Sequence, residues 1–346
     1  MRVVQFVIPG EGQRLGIVDG SSVLDLTAAH PQIDSVYAAF DMAISSAASL
    51  DSTLEKLAAG SDALSYTKMH SATSAGDQPY LVSPVKHSDP HRVLVSGTGL
   101  THTGSMQSRD QMHASEESKT TEPQTDSARM FQMGIEGGKP APGTRGISPE
   151  WFYKGNGNFV RGHNETLELP AFALDGGEEP ELAACYVIGP DGIPCRLGFA
   201  LGNEWSDHET ERINYLYLAP SKLRQCAVGP ELVTDFDFQE LELTCAIKRG
   251  GKIMYDSGTL FTGEKYMSHS LANCEDHHFK YPQHRVPGDA HVHFFGTSKL
   301  SFSERDWKFE PGDEIEIASP GFSALLRNTV AAGRPEEGKV IIVKPA

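Results

Sequence analysis

Short apolar runs, each cut off by turn residues, constrain what this chain can fold into. Leu167 and Leu169 alternate with polar neighbours. Residues 182–188 form a largely apolar run, and residues 241–247 alternate again. Two Pro-Gly-Asp turns, at residues 287–289 and 311–313, each lead into a further strand, at residues 291–295 and 314–317. The 34 glycines and 21 prolines supply turns throughout and favour short strands over long helices. The expected fold class is α+β, mainly β.

The first part of the chain reads as a small α+β unit. Residues 3–8 are apolar, Pro9-Gly10-Glu11-Gly12 turns the chain, and residues 15–18 return. Asp19-Gly20 turns it again before residues 23–26. Residues 34–59 carry Val36, Phe40, Ala43, Ala47 and Leu50 at helical spacing, then Leu54 and Leu57. The polar stretch 71–79 reads as a linker, which gives an N-terminal α+β domain over residues 1–80 and a larger unit over residues 86–346. Val93 and Val95 mark a strand entering Gly97-Thr98-Gly99. Residues 104–147 are rich in Ser, Glu, Gln and Gly, so they read as a long loop with a short helix, placed as a lid.

Thirty Lys and Arg against 46 Asp and Glu leave a net charge of −16. Such a chain repels phosphate backbones and anionic membrane surfaces, so neither nucleic acid nor membrane is an expected partner. No apolar run approaches the ~20 residues that span a bilayer. The first residues lack the pattern of a signal peptide. Five cysteines without CxxC spacing read as free thiols, and the expected location is the cytoplasm.

Two acidic segments carry candidate chemistry. In Glu179-Pro180-Glu181, residues i and i+2 of an extended chain point the same way, so two carboxylates converge at a strand end. Hard oxygen donors of this kind suit Mg²⁺, Mn²⁺ or Ca²⁺. The same residues also fit a solvated acidic turn. Glu204, in Asn203-Glu204-Trp205-Ser206 after an apolar strand, offers a third carboxylate or a surface acid.

Five segments in order resemble the fumarylacetoacetate hydrolase superfamily over about residues 88–330. They are Glu179 to Gly189, Gly198 to Ser206, Ser221-Lys222 leading to Gly229-Pro230-Glu231-Leu232-Val233, the 287–289 turn with Gly296-Thr297, and the 311–313 turn with Leu326 to Val330. The pattern looks closest to the branch that dehydrates 2-keto-3-deoxy sugar acids. The resemblance implies a mixed β-roll catalytic domain, often dimeric. It implies Glu179 and Glu181 as metal ligands, with Glu204 standing where the family usually has Asp. It also implies Lys222 near substrate and metal, a catalytic group that with His102 is a candidate to move the proton, Gly296 and Thr297 near the substrate carboxylate, and Lys154 as a further substrate contact. His102 falls where the family has a catalytic histidine, with a partner carboxylate sought at Glu116, Glu117 or Glu122.

The implied chemistry is metal-dependent dehydration of a 2-oxo acid substrate, for which a hydroxylated molecule suits the polar 104–147 stretch. The alternatives are a hydrolase that cleaves a C–C bond in an acylpyruvate or 2,4-diketo acid, and a protein that binds metal or metabolite without catalysis. Other signals are weaker. Gly97-x-Gly99 lacks the third glycine of a dinucleotide fingerprint. His291-Val292-His293 and Asp276-His277-His278 hold imidazoles but miss usual zinc spacing. Asn164-Glu165-Thr166 matches a glycosylation acceptor with no sign of secretion. Asp207-His208-Glu209 and Glu211 read as a solvated helix start.

Overall fold

The structure is a computed structural model that describes residues 1–107 and 125–346. Two sheets dominate the described residues. The larger has 13 strands, with a main path of Asp62–Ser65, Ser22–Asp25, Gly12–Asp19, Arg2–Ile8, Leu232–Val233, Pro194–Asn203, Pro180–Ile188, Ala290–Phe294, Val93–Gly99 and Glu150–Asn156. The smaller has six, built around Leu241–Arg249, Glu314–Ala318, Leu326–Ala332 and Thr166–Leu169. This is an α+β, mainly β fold, as the turn-rich sequence implies.

The strand Pro180–Ile188 sits at the centre and is buried along its whole length. Leu182, Ala184, Tyr186 and Ile188 face the smaller sheet and pack with Leu243, Cys245, Ile247, Ile315 and Ile317. Ala183, Cys185 and Val187 face the other way, into a core shared with Val36, Phe40 and Leu54. Burial on both faces explains why this strand reads as a continuous apolar run, whereas Leu241–Arg249 alternates.

The 34–59 pattern forms two helices, Val36–Ser45 and Leu50–Ala58, not one. Ser35 and Ser49 each accept a backbone hydrogen bond from the third residue on and open a new helix. Ala47 between them is left-handed at φ 50°. The expected N-terminal unit is continuous with the large sheet, because Arg2–Ile8 pairs with Leu232–Val233 and with Tyr80–Val82. The segment after residue 125 also differs from a long loop. Asp126–Gly137 is a 12-residue helix capped by Thr125. Its end docks through Ile147 N to Gly137 O and Gly146 N to Asn273 Oδ1. Glu116, Glu117 and Glu122 lie outside the described residues.

All five cysteines are free thiols. No helix among the described residues is long and apolar enough to cross a membrane. Asn164 spends its amide on the carbonyls of His70 and Ala72, so it does not project as a glycosylation acceptor would.

Candidate active site

Strand pairing brings the three acids together. Pro180 pairs with Asn203 and Glu181 with Gly202, so the start of one strand meets the end of its neighbour. Glu204 N then donates to Glu179 O at 3.0 Å, and Glu179 N to Asn203 Oδ1 at 3.2 Å. Ligand atoms of Glu179, Glu181 and Glu204 lie within 4.8 Å of one another, and all three residues are buried. No other grouping of this kind occurs among the described residues.

Two lysines balance part of this charge. The Lys222 ammonium bridges Glu179 and Glu204 and also lies 4.7 Å from the centre of the Phe152 ring. The Lys154 ammonium pairs with the other oxygen of Glu204. Burial raises the Glu179 carboxyl, but Lys222 and His208 outweigh it and hold the group well below the usual carboxylate range. Burial raises Glu204, and the charge of Glu179 adds to it against the two lysines. The Glu181 carboxyl is pushed well above the usual carboxylate range, by burial and then by the charges of Glu179 and Glu204. Its Oε2 accepts the Gly296 N–H at 2.7 Å. Burial opposes the charge on Lys222, yet the carboxylates prevail and keep it protonated.

This donor set fits a divalent cation. Three carboxylates face two ammonium groups, all the donors are oxygen, and the strained like-charge environment of Glu181 is the kind a metal ion relieves. Magnesium, manganese and calcium all suit such oxygens.

The pocket beside the cluster is lined by Glu179, Glu181, Lys222, Gly296 and Thr297, together with Thr98, Gly99, Leu100, Ser105, Phe152, His208, Glu211 and Leu300. Five of the residues singled out from the sequence therefore meet at one cleft. Gly296 has φ 90°, and a β-carbon there would lie 2.3 Å from Thr101 Oγ1. Glycine thus lets this backbone approach Glu181. Glu204 sits directly behind, bonded to Lys222.

Two of the expected site residues lie off the pocket wall. Lys154 is one of them. It is fully buried, is not part of the pocket wall, and donates to the carbonyls of Trp205 and Lys222 as well as pairing with Glu204. It positions Glu204 from behind. His102 is likewise off the pocket wall. Its Nδ1 meets Thr101 Oγ1 at 2.9 Å, its Nε2 meets Thr262 Oγ1 at 3.0 Å, and burial pushes its pKa down to about 4. The cause is local: Leu100 is left-handed at φ 50°, and the chain turns there so that Leu100 lines the pocket while His102 is sealed in the seam.

The stretch read as a solvated helix start is instead part of the wall. Helix His208–Ile213 is capped by Asp207, which is buried against Arg224 at 2.9 Å. His208 and Glu211, three residues apart on one helical face, are both buried and line the pocket. His208 Nε2 lies 3.1 Å from Glu179 Oε1. A β-carbon on Gly177 would fall 2.0 Å from His208 Nδ1, so this ring needs glycine beside it. The i, i+3 spacing was the available signal for the pair.

Among the described residues, the other histidines form no group of three that could hold a metal ion. His293 is bonded to Ser96 Oγ and Thr98 Oγ1 at 2.9 and 2.7 Å, and His278 Nε2 to His291 Nδ1 at 3.0 Å.

No family model matches the chain. A curated relative, a probable 2-keto-3-deoxyxylonate dehydratase of Haloferax volcanii, is 28% identical over 191 residues. That stretch covers 51% of this chain and 58% of the relative, so the chain spans little more than half the length of that protein. Among solved structures, 2-keto-3-deoxy-D-arabinonate dehydratase complexed with magnesium and 2,5-dioxopentanoate has TM-score 0.68 at 20% identity, covering 96% of this chain and 100% of that one. Maleylpyruvate hydrolase from Sphingobium sp. SYK-6, in complex with manganese and pyruvate, has TM-score 0.56 at 14% identity, with coverages of 96% and 100%. The 2-hydroxyhepta-2,4-diene-1,7-dioate isomerase of Mycobacterium marinum has TM-score 0.53 at 18% identity, with coverages of 96% and 98%. The chain therefore shares its fold with these solved structures.

Proposed function

We propose that this protein is a divalent-metal-dependent hydro-lyase that dehydrates a 2-keto-3-deoxy sugar acid, such as 2-keto-3-deoxypentonate to 2,5-dioxopentanoate. The buried cluster of Glu179, Glu181 and Glu204 beside the Lys222 ammonium carries the reading. The likeness in fold to a dehydratase solved with magnesium and 2,5-dioxopentanoate, and the partial match to a probable 2-keto-3-deoxyxylonate dehydratase, support the choice of dehydration.

The three glutamates would hold Mg²⁺, or Mn²⁺ in its place. Such an ion supplies Lewis-acid polarisation of the substrate's 2-keto group and makes the C3 protons more acidic. The chain's own groups do the rest. Thr297 and the backbone at Gly296 position the substrate carboxylate end. Lys222 Nζ supplies fixed positive charge beside the oxygen on which negative charge develops. Glu211, the pocket carboxylate outside the cluster, accepts the C3 proton. The C4–O bond breaks, and the same proton returns to the departing hydroxyl as water. Loss of water leaves a C3=C4 enone that still carries the C5 hydroxyl; a C5 proton is lost and a proton is added at C3, and tautomerisation of the resulting C4=C5 enol completes the oxo-aldehyde. Lys154 keeps Glu204 in place throughout.

We also propose a cytoplasmic homodimer with a small-molecule 2-oxo acid as its working partner. The test of the reaction is direct. Purified protein with Mg²⁺ is given 2-keto-3-deoxypentonates of each stereochemistry and a 2,4-diketo sugar acid, and products are identified by mass. Loss of one water to give 2,5-dioxopentanoate is expected. Gain of water with C–C cleavage would replace the reading with a hydrolase.

A further inference from the structure

Val340, Ile341, Ile342 and Val343 are 90, 79, 85 and 85% exposed, four consecutive large apolar residues open to water. β-Branched residues of this kind are strand formers, yet here they pair with no strand. Contiguous exposed apolar surface of this sort marks a contact with another molecule. We infer that residues 339–346 form an arm that seats on a second copy of this chain, against the apolar face made by Phe172, Leu216, Tyr217 and Leu223.

Charge selects the partner. Residues 339–346 hold two lysines and no acid, on a chain of net charge −16. The arm is thus a cationic, apolar segment offered to acidic molecules, and a second copy of this chain is one. Position selects the receiving face. The turn Pro335–Gly338 at the arm's root lies against Ala171, with Gly333 N bonded to Leu169 O at 2.7 Å. The next residue, Phe172, is 56% exposed, and Arg224 stacks 4.9 Å from its ring centre. Leu223 beside it is half exposed, as is Tyr217, and Leu216 is 80% exposed. Arm root and Phe172 adjoin, so a two-fold axis through this region lets each arm reach the face of the other copy. Fully extended, eight residues reach roughly 26–29 Å, enough to cross such a face.

The arrangement has a consequence for the pocket. Leu216, Tyr217 and Leu223 lie on the stretch that runs from helix His208–Ile213 through Leu218–Lys222. Seating the arm there covers the outer side of the segment whose inner side presents His208, Glu211 and Lys222.

This inference names the surface of the proposed homodimer and is independent of the proposed reaction, because it is read by mass and not by turnover. Light scattering after size exclusion is run on the full chain at about 10 and 100 μM. A mass of twice 37.6 kDa is expected. Deletion of residues 339–346, and separately Ile341→Asp with Ile342→Asp, should weaken the dimer at least 100-fold with an unchanged melting temperature of the monomer. Leu216→Asp on the receiving face should do the same. Hydrogen exchange of amides 340–343 should slow as concentration rises. A full chain of monomer mass would remove the dimer itself. A dimer of full strength without the arm would overturn only the arm, and one of full strength in Leu216→Asp would overturn the receiving face. Amides 340–343 protected in a monomer would mean that the arm folds onto its own chain, which also overturns the inference.

Discussion

Replacing Lys222 with methionine tests whether its ammonium balances the carboxylate cluster. The side chain is 2% exposed and bridges Glu179 and Glu204, which are themselves buried. Methionine keeps most of the volume and removes the charge. Taking one partner from a buried ion pair costs about 3–5 kcal/mol, because the remaining charge stays out of water. Protonation of Glu204, already raised by burial, limits the loss to that range. For 346 residues the unfolding entropy is about 0.7 kcal/mol/K near the midpoint, so the melting temperature of the metal-free variant falls by roughly 4–7 °C. A divalent cation replaces part of the missing charge, and a ligand at 100 times its Kd adds about 2.7 kcal/mol of stability. The stabilisation by Mg²⁺ should therefore be larger in Lys222→Met than in the parent. The assay is thermal unfolding of both proteins in EDTA and across a Mg²⁺ titration. A loss below about 1 kcal/mol, or equal Mg²⁺ shifts in the two proteins, would refute the argument that this lysine and a metal share the same carboxylates.

Three further outcomes are expected. Glu181→Ala removes a ligand oxygen and relieves the like-charge repulsion with Glu179 and Glu204, so it abolishes Mg²⁺ binding by calorimetry and abolishes turnover, while circular dichroism shows a folded protein. Glu211→Gln retains the pocket wall but not the proton acceptor, so kcat falls by about 10²–10⁴ with KM changed little; unchanged kcat would exclude Glu211 from proton transfer. His102 is held neutral by burial, with its pKa pushed down from 6.5 to about 4. The folded state then binds fewer protons than the unfolded state between these values, so stability is full above about pH 6.5 and is lost as pH falls toward 4. At about 1.36 kcal/mol per unit the whole loss from this group is about 3 kcal/mol. His102→Gln should flatten that part of the melting temperature against pH, and an unaltered profile would show that burial of this imidazole is not the cause.

The carboxylate cluster was legible early because its geometry is mostly local. Glu179 and Glu181 share a side through the two-residue period of an extended chain, and Glu204 follows a strand that pairs directly with theirs. Gly296 and Thr297 follow the strand Ala290–Phe294, which pairs with Pro180–Ile188 on its other side, so they arrive at the same end of the sheet. The resemblance implies Lys154 as a substrate contact, but whether its ammonium faces substrate or the back of Glu204 depends on what packs behind that acid.

By itself the sequence determined the strand-rich class, the apolar strand over residues 182–188 and the pairing of two acids on one side of its start, because turn residues and apolar periodicity act over a few residues. Only the tertiary structure decided which polar groups face the pocket. One left-handed residue, Leu100, turns His102 into the seam with Thr262, and the buried Asp207–Arg224 pair rolls His208 and Glu211 inward. The physical reason is that a polar side chain takes its direction from distant partners, and contacts between residues 102 and 262 or 179 and 208 leave no periodic trace along the chain.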